Sequence, residues 1–162
     1  MEKGYDGAEE EKVNMMNYKI EVVLEHNVKF TSFLNTMIRD FNNEHSLHHR
    51  EVRKEGSRQP INIIITDHVE KWIGGITAEV YWGWVEINKF WIDEELRGRG
   101  LGKLLLEETE KIAIKKGAKK ALLTTYEFQA RSFYEKMGYE VVGEIKDYPP
   151  GSSYYTLVKL LI

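Results

Sequence analysis

Cysteine is absent from the chain, and its absence removes disulfides, thiolate metal sites and a cysteine nucleophile together. An excess of positive charge is missing too. With 23 Lys and Arg against 26 Asp and Glu, the formal charge is -3, so no molecule-wide cationic field draws in nucleic acid. Any anion site must be local. No run of ~18 apolar residues is present, so neither a membrane span nor a membrane partner is expected. The amino-terminal stretch carries Glu2, Asp6, Glu9, Glu10 and Glu11 with no apolar run, the opposite of a secretory signal, and a cytoplasmic location is the expectation. The 162 residues suffice for one domain with a real core. The polar, aperiodic residues 1–16 read as a flexible acidic leader, and residues 17–162 as a single domain.

What the chain does have is a stretch around which the rest is organised: Arg97-Gly98-Arg99-Gly100-Leu101-Gly102. Residues 84–92 before it form a β-prone run. After it, Leu101, Leu104, Leu105, Ile112 and Ala113 recur at helical spacing up to Gly117. A strand, a glycine-rich turn and a helix make an anion site, because glycines let the backbone approach a ligand and the first helical amides point outward unpaired. Arg97 and Arg99 add cations. A Walker A loop would need Gly at 97 and Ser or Thr at 104, where Arg97 and Leu104 stand; the dinucleotide fingerprint fails at Lys103.

Along the remaining chain, residues 18–23 alternate as a first strand, and Val28, Phe30, Phe33, Leu34, Met37, Ile38 and Phe41 place a helix with one apolar face. Residues 44–59 read as a loop or a short second helix. His45, His48 and His49 have spacings that would suit a metal on a helix, but no carboxylate arrangement accompanies them, so a solvated or substrate-touching loop is the better account and no metal is expected. Residues 61–66 and 72–80 predict a hairpin, with Gly74 and Gly75 marking a bulge or a close approach. Residues 119–125 predict a strand, 128–139 a helix stopping at Gly138, and 139–145 and 154–161 two closing strands. Between the last two lies a turn-rich loop with Tyr148, Pro149, Pro150 and Gly151. The order defines a mixed α/β (α+β) fold.

The letters Arg-x-x-Gly-x-Gly at 97–102, and Ala130, Tyr134, Lys136, Gly138 and Tyr139 in the second segment, resemble the acetyl-CoA-binding motifs of the GNAT superfamily of N-acyltransferases. The resemblance covers residues 17–161 and is most specific between Val85 and Tyr139. It departs at Glu127, where the family commonly has Asn. The resemblance implies a mostly antiparallel sheet of about six to seven strands, with a splayed central strand pair and helices on both faces. It implies acetyl-CoA as co-substrate, with no metal. Main-chain groups of Phe90, Trp91 and Ile92 would meet the pantetheine arm, and Arg97, Gly98, Arg99, Gly100, Leu101, Gly102 and Lys103 the phosphates; Glu127, Ala130 and Tyr134 complete the cofactor side. Tyr134 matches the position that protonates the leaving thiolate, against the plain reading of a core tyrosine, and Glu86 the place of a general base, against an exposed or structural carboxylate or a water chain. Trp82, Trp84 and Tyr148 are candidates for shaping an amine acceptor site; aromatics there also suit simple core packing. The implied function is transfer of an acetyl group to a primary amine of a small molecule or protein. The alternative is a catalytically silent acyl-CoA-binding sensor or interaction module. A homodimer is a mild expectation, since exposed sheet edges pair.

Overall fold

A computed structural model describes residues 18–161; the acidic leader lies outside the described residues. The chain divides between Asn42 and Asn43 into two units. The first holds most of α1, Val28–His45. Asn27 starts this helix, its Oδ1 accepting from the Phe30 amide at 2.9 Å, as an N-cap does. The apolar residues of α1 fall on one face as their spacing predicts, and none is buried. The predicted strand at 18–23 does not form. Alternation permits a strand, but only a hydrogen-bonded neighbour makes one, and none pairs with it among the described residues.

The second unit contains α2 (Leu47–Glu51), β1 (Gln59–Thr66), β2 (Trp72–Tyr81), β3 (Trp84–Ile92), a 3-10 turn (Glu94–Leu96), α3 (Leu101–Lys115), β4 (Lys120–Tyr126), α4 (Arg131–Lys136), β5 (Glu140–Lys146) and β6 (Ser153–Leu160). Six strands form one sheet in the order β1-β2-β3-β4-β6-β5. Every neighbouring pair is antiparallel except β3 and β4, which run parallel. Such a pair needs a crossover, and α3 supplies it.

Residues directly opposite in a sheet share a face. Ile76, Ala78 and Val80 on β2, Val85 and Ile87 on β3, Ala121 and Leu123 on β4 and Leu157 on β6 are all buried, and α3 covers them with Leu105, Leu106 and Ala113. These side chains form the core. Among the described residues, no helix is long and apolar enough to cross a membrane.

Two irregularities matter for the site. Gly75 packs so closely on β1 that a Cβ there would lie 2.4 Å from the Ile63 carbonyl oxygen, so this position needs glycine. Between β2 and β3 the register moves from Thr77↔Lys89 to Ala78↔Ile87, leaving Asn88 as an extra residue on β3. That bulge inverts the alternation. Regular alternation would put Glu86 on one face with Asn88, Phe90 and Ile92. Instead Phe90 and Ile92 join Val85 and Ile87 toward the core, while Glu86 looks out of the opposite face.

Candidate active site

The parallel pairing of β3 and β4 runs only from Trp84↔Lys120 to Ile87↔Leu123. Beyond it β3 stays with β2 as far as Ile92, and β4 stays with β6 as far as Tyr126. The two strands therefore part, and Asn88 to Ile92 keep a ladder edge with no strand opposite. Into this split opens a cleft of about 670 Å³, lined on one side by Ile87 to Ile92 and on the other by Leu123 to Tyr126, with Phe128, Gln129, Ala130, Tyr134 and Tyr154. A second recess of about 410 Å³ shares Phe90, Trp91, Ile92, Arg97, Ala130 and Tyr134 with it and continues onto Gly98, Gly100, Gly102 and Lys103.

The loop at the end of β3 is held in place by its own residues. Asp93 Oδ1 accepts from the Glu95 amide at 3.1 Å, and the Arg97 Nε donates to the Ile92 carbonyl oxygen at 3.0 Å. Arg97 therefore ties the loop to the strand with one nitrogen and retains its terminal nitrogens for a ligand. Gly98 and Gly100 have φ of 74° and 81°, a region that favours glycine, and the space where a Cβ would stand is open at both. Leu104 is the first helical amide to bond back, to the Gly100 carbonyl at 3.1 Å. The amides of Leu101, Gly102 and Lys103 are thus left for an anion at the positive end of the α3 dipole.

Tyr134 enters the cleft from α4. That helix begins at Arg131, three residues later than the apolar spacing predicts, because the Gln129 side chain accepts from the Tyr126 amide at 3.0 Å and holds 127–130 as a turn. Tyr134 is 7% exposed, its ring set against Phe90 and Phe133. Its hydroxyl makes no hydrogen bond among the described residues, and burial pushes its pKa up to about 12. The phenol therefore stays neutral at physiological pH. Glu86 stands one residue short of the cleft wall and accepts a hydrogen bond from the Tyr81 hydroxyl. Burial, and then the hydrogen bond to Glu86, pushes the Tyr81 pKa up to about 12. Beside this pair, Arg58 bonds Glu79 at 3.1 Å and lies over the Tyr81 ring.

The structure thus brings Phe90, Trp91, Ile92, Arg97, Gly98, Gly100, Gly102, Lys103, Ala130 and Tyr134 to one continuous site. Leu101 and Arg99 belong to the same loop and helix start without lining either recess. Glu127 is exposed in the turn after β4 and does not line the cleft. Nor do Trp82 and Trp84. Trp82 (φ 53°) and Gly83 (φ 76°) form the tight turn between β2 and β3, whose twist suits a hairpin. That turn is at the far end of β3, with Trp84 roughly 13 Å from Asn88 at ~3.3 Å per residue. There Trp82 donates to the His48 carbonyl at 3.1 Å and borders a separate recess with His49, Arg53 and Arg58. His49 bonds the Ser46 hydroxyl at 2.9 Å, and no group placed to hold a metal ion occurs among the described residues.

Sequence reading missed Tyr126, Phe128 and Tyr154. They come from two separate segments, β4 with the turn after it and β6, and only the β4–β6 register, which sets Tyr126 opposite Tyr154, shows that they meet. Tyr148 touches the same group, its ring 6.0 Å from that of Tyr154.

This chain belongs to the acetyltransferase (GNAT) family, whose model matches residues 30–139. It is similar to a blasticidin-S acetyltransferase from Streptomyces morookaense, with 38% identity over 89 residues; the match takes in 54% of this chain and 65% of that protein, less than two thirds of its length. Among solved structures, an acetyltransferase from Bacillus cereus superposes with a TM-score of 0.71 at 26% identity, covering 86% of this chain and 97% of the other. A Bacillus anthracis acetyltransferase solved with acetyl coenzyme A shares the fold at a TM-score of 0.55 and 22% identity, over 74% and 70% of the two chains.

Proposed function

We propose that the protein is an acetyl-CoA-dependent N-acetyltransferase that moves the acetyl group directly to a primary amine on a small molecule. The observation that carries this reading is the strand split, which leaves one edge of β3 unpaired and ends on a loop of free amides. Backbone groups of 88–92 can bond the amides of a pantetheine arm as a neighbouring strand would. The amides after Gly100, with Arg97, Arg99 and Lys103, suit a pyrophosphate. Bound acetyl-CoA supplies an activated thioester carbonyl.

The remaining steps fall to the protein's own residues. Glu86, directly or through one water, takes a proton from the acceptor ammonium, so that the amine nitrogen carries a lone pair when it meets the acetyl carbon. The N–C bond forms and the C–S bond breaks. As charge gathers on the departing sulfur, the Tyr134 hydroxyl donates its proton there, and the second proton, left on the nitrogen by N–C bond formation, passes through water to restore the phenol. A phenol at about 12 is a weak acid, so it acts as a hydrogen-bond donor that yields its proton only late in C–S cleavage. The absence of cysteine agrees with direct transfer, which needs no thiol nucleophile.

The relative's name, blasticidin-S acetyltransferase, supports a small-molecule acceptor over a protein amine. Release of free thiol from acetyl-CoA, measured across a panel of amines, tests the proposal. Turnover with at least one small amine is expected. Tight coenzyme A binding with no release for any amine would leave a binding module in its place.

A further inference from the structure

We propose that the β4–β6 side of the cleft is an acceptor subsite for an amine carried beside a flat conjugated ring, an inference that rests on the acetyltransferase reading. Four aromatic rings line up along this lip. Phe128 lies parallel to Tyr126, with centroids 5.3 Å apart and planes 7° from parallel. Tyr126 lies 4.9 Å from Tyr154, and Tyr148 stands edge-on to Tyr154 at 6.0 Å. The two end rings are open, Phe128 being 68% and Tyr148 56% exposed. Water-facing aromatic surface beside a cleft is where a planar group gains most by stacking, since each end ring has a ring neighbour on one side and open surface on the other.

Charge narrows the class further. Among the described residues, Lys89 and Arg97 are the only charged side chains lining the cleft, and both are cations. Beyond the Glu86 carboxylate assigned as the base, a polycationic acceptor, which needs several carboxylates to offset its charge, finds none in that lining. The lip therefore selects by ring contact rather than by ion pairing, and it sits across the split from the loop assigned to the phosphates.

Steady-state kinetics with tryptamine and spermidine as acceptors test this. The expected result is a kcat/KM for tryptamine at least tenfold above that for spermidine. Phe128→Ala and Tyr148→Ala, both at exposed positions, should each raise the tryptamine KM about tenfold, leaving the acetyl-CoA KM unchanged, and Phe128→Trp should restore the tryptamine KM. A preference for spermidine, or variants that raise the acetyl-CoA KM alone, would overturn the assignment. If the wild type releases thiol with neither amine, the acetyltransferase reading fails for these acceptors, and calorimetry of tryptamine decides the subsite separately. Binding weakened by Phe128→Ala upholds it; no binding to the wild type overturns it.

Discussion

Two neighbouring regions of the second unit are each built around a buried tyrosine, and their polar groups end differently. Tyr139, 2% exposed, donates to Glu110 Oε1 at 3.0 Å, and Lys159 bonds the other carboxylate oxygen at 2.6 Å while lying over the Tyr139 ring. Burial, and then the charge of Glu110, raises the Tyr139 pKa well above the usual phenol range. Every group there has a partner. Tyr134, whose ring centroid is 5.8 Å from that of Tyr139, is nearly as buried, yet its hydroxyl is left without a protein partner and faces a strand edge that is equally unpaired. That hydroxyl is not a sealed orphan, since among the described residues the fully buried side-chain polar atom without a partner is Arg131 Nε; Tyr134 lines the open cleft instead. The satisfied cluster ties α3 to β6 and serves the fold, whereas the unsatisfied one has places that a ligand would complete.

The contrast can be broken from either side. The largest effect is expected at the satisfied cluster: Glu110→Ala leaves Lys159 and Tyr139 without their acceptor and should cost about 3–5 kcal/mol of stability, read by urea unfolding. The acetyl-CoA KM of the folded fraction should not move. At the unsatisfied site, Gly100→Asp puts an anion and an unfavourable left-handed residue where amides face a phosphate. A Cβ there meets nothing within 4 Å, so the fold should survive while coenzyme A affinity falls by roughly 10²-fold, measured by calorimetry. Equal affinity would mean that the cofactor binds elsewhere.

Smaller is the effect of Glu86→Gln, expected to lower the plateau of kcat/KM by roughly tenfold. That is less than the ~10² typical of a dedicated base, because a water chain can substitute in part. Profiles measured with two acceptors of different amine pKa separate the residue from the substrate: a rising limb that follows the acceptor in both enzymes, with the same plateau, removes Glu86 from the mechanism. The smallest effect is alkaline. The Tyr134 pKa is raised from its ordinary ~10 to about 12, so its contribution to stability is complete below ~10 and is lost as pH rises through about 12. Tyr134→Phe should therefore lose less stability across that window than the wild type, as followed by unfolding midpoints.

Much of this was legible from the letters alone. The strand at 84–92 and the helix from Leu101 to Lys115 fall where the β-branched and aromatic run and the helical spacing put them, and the glycine loop sits between them. The orientation of Glu86 was not legible, because it depends on one extra residue, Asn88, whose bulge exists only through pairing with β2. The aromatic lip escaped for a related reason: β6 lies beside β4 and the turn after it only once the sheet order is known. Trp82 and Trp84 were candidates for the acceptor site because they flank the start of the central strand, but the hairpin turn sets them at its other end from the split, with Trp82 on a separate recess. Local pattern encodes elements, and non-local register decides which side chains share a space.

The central claim is that the unsatisfied tyrosine acts in chemistry while the satisfied one acts in folding, and paired phenylalanine variants test it most directly. Thiol release and thermal unfolding are measured side by side for Tyr134→Phe and Tyr139→Phe. Tyr134→Phe is predicted to lower kcat by roughly 10²-fold with little change in Tm. Tyr139→Phe is predicted to lower stability by about 1.5–3 kcal/mol, the worth of a hydrogen bond to a charged group, with kcat preserved. Normal turnover in Tyr134→Phe, or the larger loss of kcat in Tyr139→Phe, would contradict the account.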